Sequence, residues 1–281
     1  MKYTPKEIPE EVNVNVTRVH PLVNFAYLLG TTIGVSILIY LGLGFAAAQL
    51  TTRISPEMEI KIGQSLFPKG LFSSSLKNQE RLEYVQELAT SLQEDMGATR
   101  IPITVHLWEN EALNAAIFPG GNIVVTTGLL DAVETENELA FVLAHELGHF
   151  AARDTLKGLG RSLVFVFVTS AIGLGTQDAG GLSAVVSTSG QLTNLHFRIR
   201  QESAADLYAL EAIIRRYQHG GNSLDLFERI KVKDSRGKFE EYLSTHPLTQ
   251  DRIDELNKIA AQRGWLMEGE VTAMPENISN W

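Results

Sequence analysis

The chain has 281 residues, 44% of them hydrophobic, with 24 Lys+Arg against 33 Asp+Glu, a net charge of -9, and no cysteine. That length allows one sizeable domain or two small ones, with enough apolar residues for a real core. The acidic balance argues against nucleic-acid recognition through phosphates. The missing cysteines exclude a disulfide framework, a cysteine nucleophile and thiolate metal ligands. Any metal chemistry must use His, Asp and Glu.

After an N-terminal tail, residues 1–22, comes Phe25 to Leu50, an uncharged stretch flanked by Arg18 and Arg53. As a helix it would run roughly 39 Å against about 30 Å of bilayer hydrocarbon, so residues 23–50 are expected to form a single transmembrane anchor. A cleaved signal peptide and a buried core helix are the alternatives. The small triplet Ala46-Ala47-Ala48 suits the first, but the apolar stretch is about twice a signal core and the preceding arm is not basic. The second would show a polar stripe, and none is present. Lys6 and Arg18 on one side balance Arg53, Lys61 and Lys69 on the other, so charge sets no orientation. The short tail favours an extracytoplasmic place for the larger part of the chain, C-terminal to the anchor.

Residues 51–78, with Ser73-Ser74-Ser75, read as a juxtamembrane linker. Leu82, Val85, Leu88 and Leu92 repeat at helical spacing, and Gly97 closes that helix. Ile101, Ile103, Val105 and Leu107 alternate as a half-buried strand does. Asn114 to Phe118 and Ile123 to Thr126 flank Pro119-Gly120-Gly121-Asn122, a hairpin signature. From Thr135 the pattern is helical, apart from loops near 173–190 and 220–222. Leu163 to Gly175 is apolar but about 20 Å long as a helix, too short to span; it is expected as a docked hairpin, with a membrane-dipping segment as the alternative. A small sheet followed by helices is an α+β arrangement, placed at 79–265 with a C-terminal tail at 266–281. No internal repeat is present, and nothing sets an oligomeric state.

The sequence His145-Glu146-Leu147-Gly148-His149 lies in a predicted helix, opened by Thr135 and Glu138 as a capping box. Four residues apart, His145 and His149 share a face and can aim two imidazoles at one ion. Glu146 sits beside them, close enough to take a proton from an activated water. Two surface histidines on a helix are the plain alternative. A catalytic zinc with two histidines needs a third protein ligand, and Glu202 in Glu202-Ser203-Ala204-Ala205-Asp206 is the best candidate. Asp206, again four residues on, can accept a hydrogen bond from the far nitrogen of a ligand histidine. Two solvated carboxylates are the plain reading of that pair, weakened because Ser203, Ala204 and Ala205 permit close helix packing.

Taken in order, these motifs resemble the zinc metallopeptidases of family M48, the gluzincin group that includes HtpX-like and CAAX prenyl endopeptidases. The resemblance extends to Asn114-Ala115-Ala116, to 119–130, and to Ser244-Thr245-His246-Pro247 with Arg252-Ile253, covering about residues 79–262. It implies a mostly helical zincin-like fold, bound Zn2+, and proteolysis of membrane-associated or exported proteins. His145, His149 and Glu202 match the family's metal ligands, Glu146 its general base, and Asp206 its supporting acid. His246 and Arg252 match its C-terminal motif; His246, on a turn before a helix, is expected at the catalytic centre as a donor to the oxyanion, with Arg252 as a second donor, and a histidine that only packs at that turn is the plain alternative.

The strand from Asn114, if it is a free edge, can pair with a protein or peptide substrate in extended form, through Asn114, Ala115 and Ala116. The expected function is a membrane-anchored zinc metalloendopeptidase acting in protein quality control. One rival reading is a catalytically silent zinc-binding scaffold or chaperone-like module, in which Glu146 would have no use; the other is an anchored binding module with no metal at all.

Overall fold

The computed structural model describes residues 20–67, 78–97, 100–160, 163, 199–233, 242, 246–247, 250–275 and 278. Of the sequence expectations, most of the N-terminal tail, Ser73 to Ser75, Leu163 to Gly175 beyond Leu163 itself, and Ser244-Thr245 lie outside these residues.

Helix α1, Pro21–Thr51, contains the whole predicted anchor. Its 31 residues make about 47 Å of helix, more than a bilayer core requires. Among the described residues it is the one helix long and apolar enough to cross a membrane. Leu22, Phe25, Leu28, Leu38 and Phe45 are all exposed. The helix therefore makes no part of the domain's core, which removes the buried-helix alternative.

Helix α2, Pro56–Leu66, corrects the expectation of a linker over 51–78. Ser55 caps it, its side chain accepting from Met58 N, and Pro56 opens the first turn. A Cβ on Gly63 would lie 2.5 Å from Pro119 O and 2.9 Å from Gly120 Cα, so the helix is packed directly on backbone. Short polar runs in the sequence hide a helix whose docking depends on one glycine.

Helix α3, Gln79–Met96, buries Val85, Leu88, Ala89 and Leu92 and ends on Gly97 in the left-handed conformation, φ 60°. Strands β1 (Thr104–Trp108), β2 (Ala115–Phe118) and β3 (Asn122–Thr126) form a sheet in the order β1-β3-β2. The predicted hairpin is present: β2 runs antiparallel to β3, and Gly120 and Gly121 take φ of 81° and 79° in its turn. β1 pairs parallel to β3, with Val105 opposite Ile123. β2 is thus an edge strand among the described residues.

Helix α4, Thr127–Ala132, leads to α5, Glu136–Ala151, which carries the two histidines. Thr135 Oγ1 accepts from Glu138 N at 3.2 Å, as the capping box requires, while Glu138 reaches back one residue further, to Glu134 N at 2.7 Å. Residues 137–150 are all buried, making α5 the axis of the domain. Helix α6, Ile199–Tyr217, packs along it; α7, Asp225–Lys233, and α8, Gln250–Arg263, complete the described helices. A small sheet kept to one stretch of the chain, with helices before and after it, confirms the α+β class.

The end of the domain also lies further on than expected. Glu136 N donates to Thr272 O, Thr272 N donates to Asn137 Oδ1, and Met274 is buried. The segment assigned as a tail from 266 thus includes a strap that satisfies an open N–H of α5.

Substituting Gly63→Val is expected to lower stability by about 1–3 kcal/mol through forced separation of α2 from the hairpin. Thermal unfolding of wild type and variant side by side measures it; equal Tm values would show that α2 does not dock.

Candidate metal centre and active site

Helices α5 and α6 meet at Gly148. A Cβ there would stand 3.0 Å from Ala205 Cα and 3.1 Å from Tyr208 Cβ, so any larger residue would push the two helices apart by a few tenths of an ångström. The small residues noted in the sequence thus act through Ala205. The contact brings Glu202, one turn before Asp206, opposite His145 and His149.

Three donor side chains then converge. His145 Nε2 is 3.1 Å from His149 Nε2 and 3.5 Å from Glu202 Oε2, and His149 Nε2 is 3.4 Å from Glu202 Oε1. A tetrahedral ion with arms of about 2.0–2.1 Å requires ligand atoms about 3.3–3.4 Å apart, so these separations fit. Glu202 Oε1 makes no hydrogen bond although it is fully buried, the state of an oxygen reserved for a metal. Charge agrees. Among the described residues Glu146, Glu202, Asp206 and Asp154 face Arg252 and Lys157, an excess of two negative charges that a divalent cation would neutralise.

The surrounding groups fix the ring orientations. His145 Nδ1 is 3.0 Å from Asp206 Oδ1. Nothing in the sequence singles out Asp154, yet its Oδ2 is 3.3 Å from His149 Nδ1, and its Oδ1 accepts from Gln201 at 2.7 Å and Lys157 at 3.2 Å. Each histidine therefore has its own carboxylate behind it. The signal for Asp154 is a lone acid just past an apolar helix, and its direction depends on the turn at Arg153, which no spacing rule encodes.

Burial works against a charged His145, but Asp206 and Glu202 outweigh it and raise its pKa. Burial is likewise outweighed at His149, where Asp154 and Glu202 push the pKa up to about 10. Glu202 is also buried, yet the His145, His149 and His246 imidazoles around it hold its pKa far below the usual carboxylate range. These directions belong to the metal-free protein, where protons take the place of the cation.

Glu146 differs from the other carboxylates. Its Oε2 accepts from Ile117 N of β2 at 2.9 Å, while Oε1 is buried without a hydrogen bond, 3.4 Å from His246 Nε2. Asn114 and Thr126 bond through their backbones, so strand alternation turns the polar groups of Ala115 and Ile117 outward and those of Asn114 and Ala116 towards β3. Of the three expected substrate contacts, Ala115 thus directs its backbone polar groups away from β3 and Asn114 and Ala116 direct theirs towards it, while the Ile117 N–H is taken by Glu146.

The C-terminal pair also takes up unexpected positions. His246 Nδ1 is 3.2 Å from His145 Nε2 and 3.3 Å from Glu202 Oε2, which puts it with the three donors as a fourth corner. Tyr242, missed in the sequence, packs its ring 5.0 Å from that of His246 and accepts the His246 N–H on its carbonyl at 2.7 Å. Arg252 does not face a reacting group. It donates to Asp206 through Nε and Nη2, both at 2.7 Å, to Pro247 O at 2.7 Å, and lies 3.0 Å from Glu202 Oε2. The expected oxyanion donor is a clamp on the carboxylates, because those two buried charges demand a planar bidentate partner.

A metal entering this site must displace protons from His145 and His149. Its apparent affinity is therefore expected to rise with pH towards about 10, the raised His149 value, and to weaken progressively below. Chelator competition across pH measures this, and a flat profile would remove the histidines from the ligand set. By the same assay Asp154→Ala is expected to weaken metal binding about 10–100-fold; unchanged affinity would leave Asp154 without a role at His149.

Comparison with known proteins agrees with this geometry. The family model described as Peptidase family M48 matches residues 75–260. The chain is 29% identical over 191 residues to the beta-barrel assembly-enhancing protease of Yersinia pestis, covering 64% of this chain and 39% of that protein. It is 28% identical to metalloprotease LoiP of Escherichia coli, covering 55% of this chain and 62% of that one. With the mitochondrial metalloendopeptidase OMA1 of Schizosaccharomyces pombe it shares 26% identity, covering 67% and 54%. The chain thus spans between two fifths and three fifths of the length of these relatives. With the family's motifs gathered at one buried cluster of His and Glu that could hold a metal ion, and the family model matched over more than half of its length, the chain belongs to peptidase family M48.

Proposed function

We propose that this protein is a membrane-anchored zinc metalloendopeptidase that cuts unfolded or membrane-associated protein segments bound in extended form along β2. One observation carries the reading: the Ile117 N–H of the edge strand holds Glu146 Oε2. A peptide paired on that edge would have its backbone delivered beside the carboxylate that must handle the protons.

His145, His149 and Glu202 would hold the zinc. Bound zinc supplies Lewis acidity, lowering the pKa of water towards about 7 and polarising a carbonyl oxygen. With Oε2 fixed by the strand, Glu146 has Oε1 to accept a proton from the attacking water and later deliver it to the leaving amine. Asp206 and Asp154 hold the two imidazoles with Nε2 directed inward, and Arg252 keeps Asp206 ionised and in place. His246 Nε2, 3.4 Å from Glu146 Oε1, lies where a donor could meet charge that develops on the attacked carbonyl. Pairing through backbone groups implies loose sequence preference and a requirement for extended, unfolded chain, as a quality-control peptidase needs. Helix α1 supplies the anchor, with the catalytic domain on the extracytoplasmic side.

Replacing Glu146→Gln is expected to reduce hydrolysis of casein about 10²–10⁴-fold while elemental analysis finds the same metal content. Full activity in that variant would remove Glu146 as the base; a wild type that binds metal yet cleaves nothing would favour the silent scaffold. His246→Ala is expected to lower kcat about 10²–10³-fold with little change in KM. A rise in kcat would instead assign His246 Nδ1 to blocking the fourth corner.

A further inference from the structure

The base of α1 is tied to the catalytic domain by contacts that hydrolysis itself does not require. Arg153 Nη1 donates to Thr51 O at 2.9 Å, and its Nη2 donates to Ile54 O and to Glu59 Oε2, each at 2.7 Å. One side chain thus caps the last carbonyl of α1, holds the turn that follows it at Ile54, and pairs with a carboxylate on α2. Glu59 is 1% exposed, so without the guanidinium its charge would be buried and uncompensated.

The backbone of Arg153 makes the arrangement more pointed. Its φ is 58°, the left-handed conformation that ends α5 and in which glycine or asparagine is usual. An arginine accepts that conformation here because its side chain holds α1 and α2 together. Arg153 follows His149 by four residues, and Asp154, next in the chain, backs the His149 imidazole. The corner that grips α1 and α2 is therefore the corner that ends the metal-binding helix.

A second tie meets the opposite wall of the cleft. Gly63 of α2 lies on the Pro119–Gly120 turn of the β2–β3 hairpin, and the Phe67 ring stands 5.0 Å from that of Phe118 and 5.3 Å from that of His106. Phe118 is the last residue of β2. Helix α2 thus touches both the end of α5 and the end of the edge strand.

We propose that Arg153 and Glu59 form a clasp that fixes the cleft at one position relative to the base of α1, making the height of the scissile bond above the membrane a specificity determinant. Substrate segments tethered to the same membrane are cut when they reach that height, and segments held closer or farther are spared. A free linker over 51–78 would let the cleft wander over roughly 30 Å and erase such a preference. The height determinant rests on the reading of α1 as an anchor; the clasp does not.

The test uses the full chain. Because the protein has no cysteine, Arg53→Cys and Asn257→Cys, both at exposed positions, can carry a pair of spin labels. In phosphatidylcholine vesicles the parent is expected to give one narrow distance distribution. Arg153→Gly, which suits the left-handed φ but removes the guanidinium, is expected to broaden it, and so is Glu59→Gln. Unchanged narrow distributions in both would overturn the clasp. If Arg153→Gly does not fold, Glu59→Gln, which leaves the end of α5 untouched, decides the matter. Membrane-tethered substrates carrying one unfolded segment behind spacers of graded length then read the height. The parent is expected to cleave a limited band of spacers and Arg153→Gly a wider band, with casein hydrolysis and metal content within about threefold of the parent. Equal cleavage of every spacer by the parent would overturn the height determinant. A parent that fails to float with vesicles would overturn it too, through the anchor reading, while the label distances still judge the clasp in solution.

Discussion

The approach of α5 to α6 at Gly148 is the constraint on which the site depends. A side chain larger than hydrogen would meet Ala205 Cα at 3.0 Å, and pushing the helices apart would carry Glu202 away from both histidines at once. Metal ligands tolerate errors of only a few tenths of an ångström. A contact between two of the smallest residues in the chain thereby sets the geometry of its most polar cluster. The rest of α5 is buried on every side, so the helix cannot rotate to compensate.

Around that contact the polar groups form a closed set in which every position is fixed by another. Arg252 straightens Asp206, Asp206 meets His145, and Gln201 with Lys157 steadies Asp154 behind His149. Glu146 is the member joined to the sheet, through Ile117. Buried charge of this density survives folding only when it is compensated, and the surrounding carboxylates hold the imidazoles in one orientation before any ligand arrives. The arrangement gives preorganisation, which is what a site acting on developing charge needs.

Much of this is legible in the sequence because it is local. Residues four apart on one helix share a face, so the pairing of His145 with His149 and of Glu202 with Asp206 follows from helical pitch alone. The hairpin turn can be read because two consecutive glycines suit positive φ. What stays hidden depends on distant partners or on single backbone torsions. Nothing near β1 states that it lies parallel to β3, and α2 becomes a docked helix only through a glycine meeting a turn more than fifty residues away. Asp154 points at His149 because Arg153 is left-handed, and Arg252 turns to Asp206 because buried carboxylates attract a guanidinium more strongly than an empty cleft does. His246 is recognisable as part of a motif, but its place beside the ligand atoms is a fact of tertiary packing around Tyr242.

The strap that runs over the start of α5 bears on the order in which the protein can be made. Glu136 N finds its acceptor on Thr272, and Asn137 is engaged by the same residue. Synthesis delivers the histidine helix first, Glu202 later, Arg252 later still, and the strap after all of them. A nascent chain emerging from the ribosome thus carries the histidines long before it carries the residues that aim and cap them. By this ordering the buried His/Glu cluster is completed late, well after the apolar N-terminal helix has been synthesised.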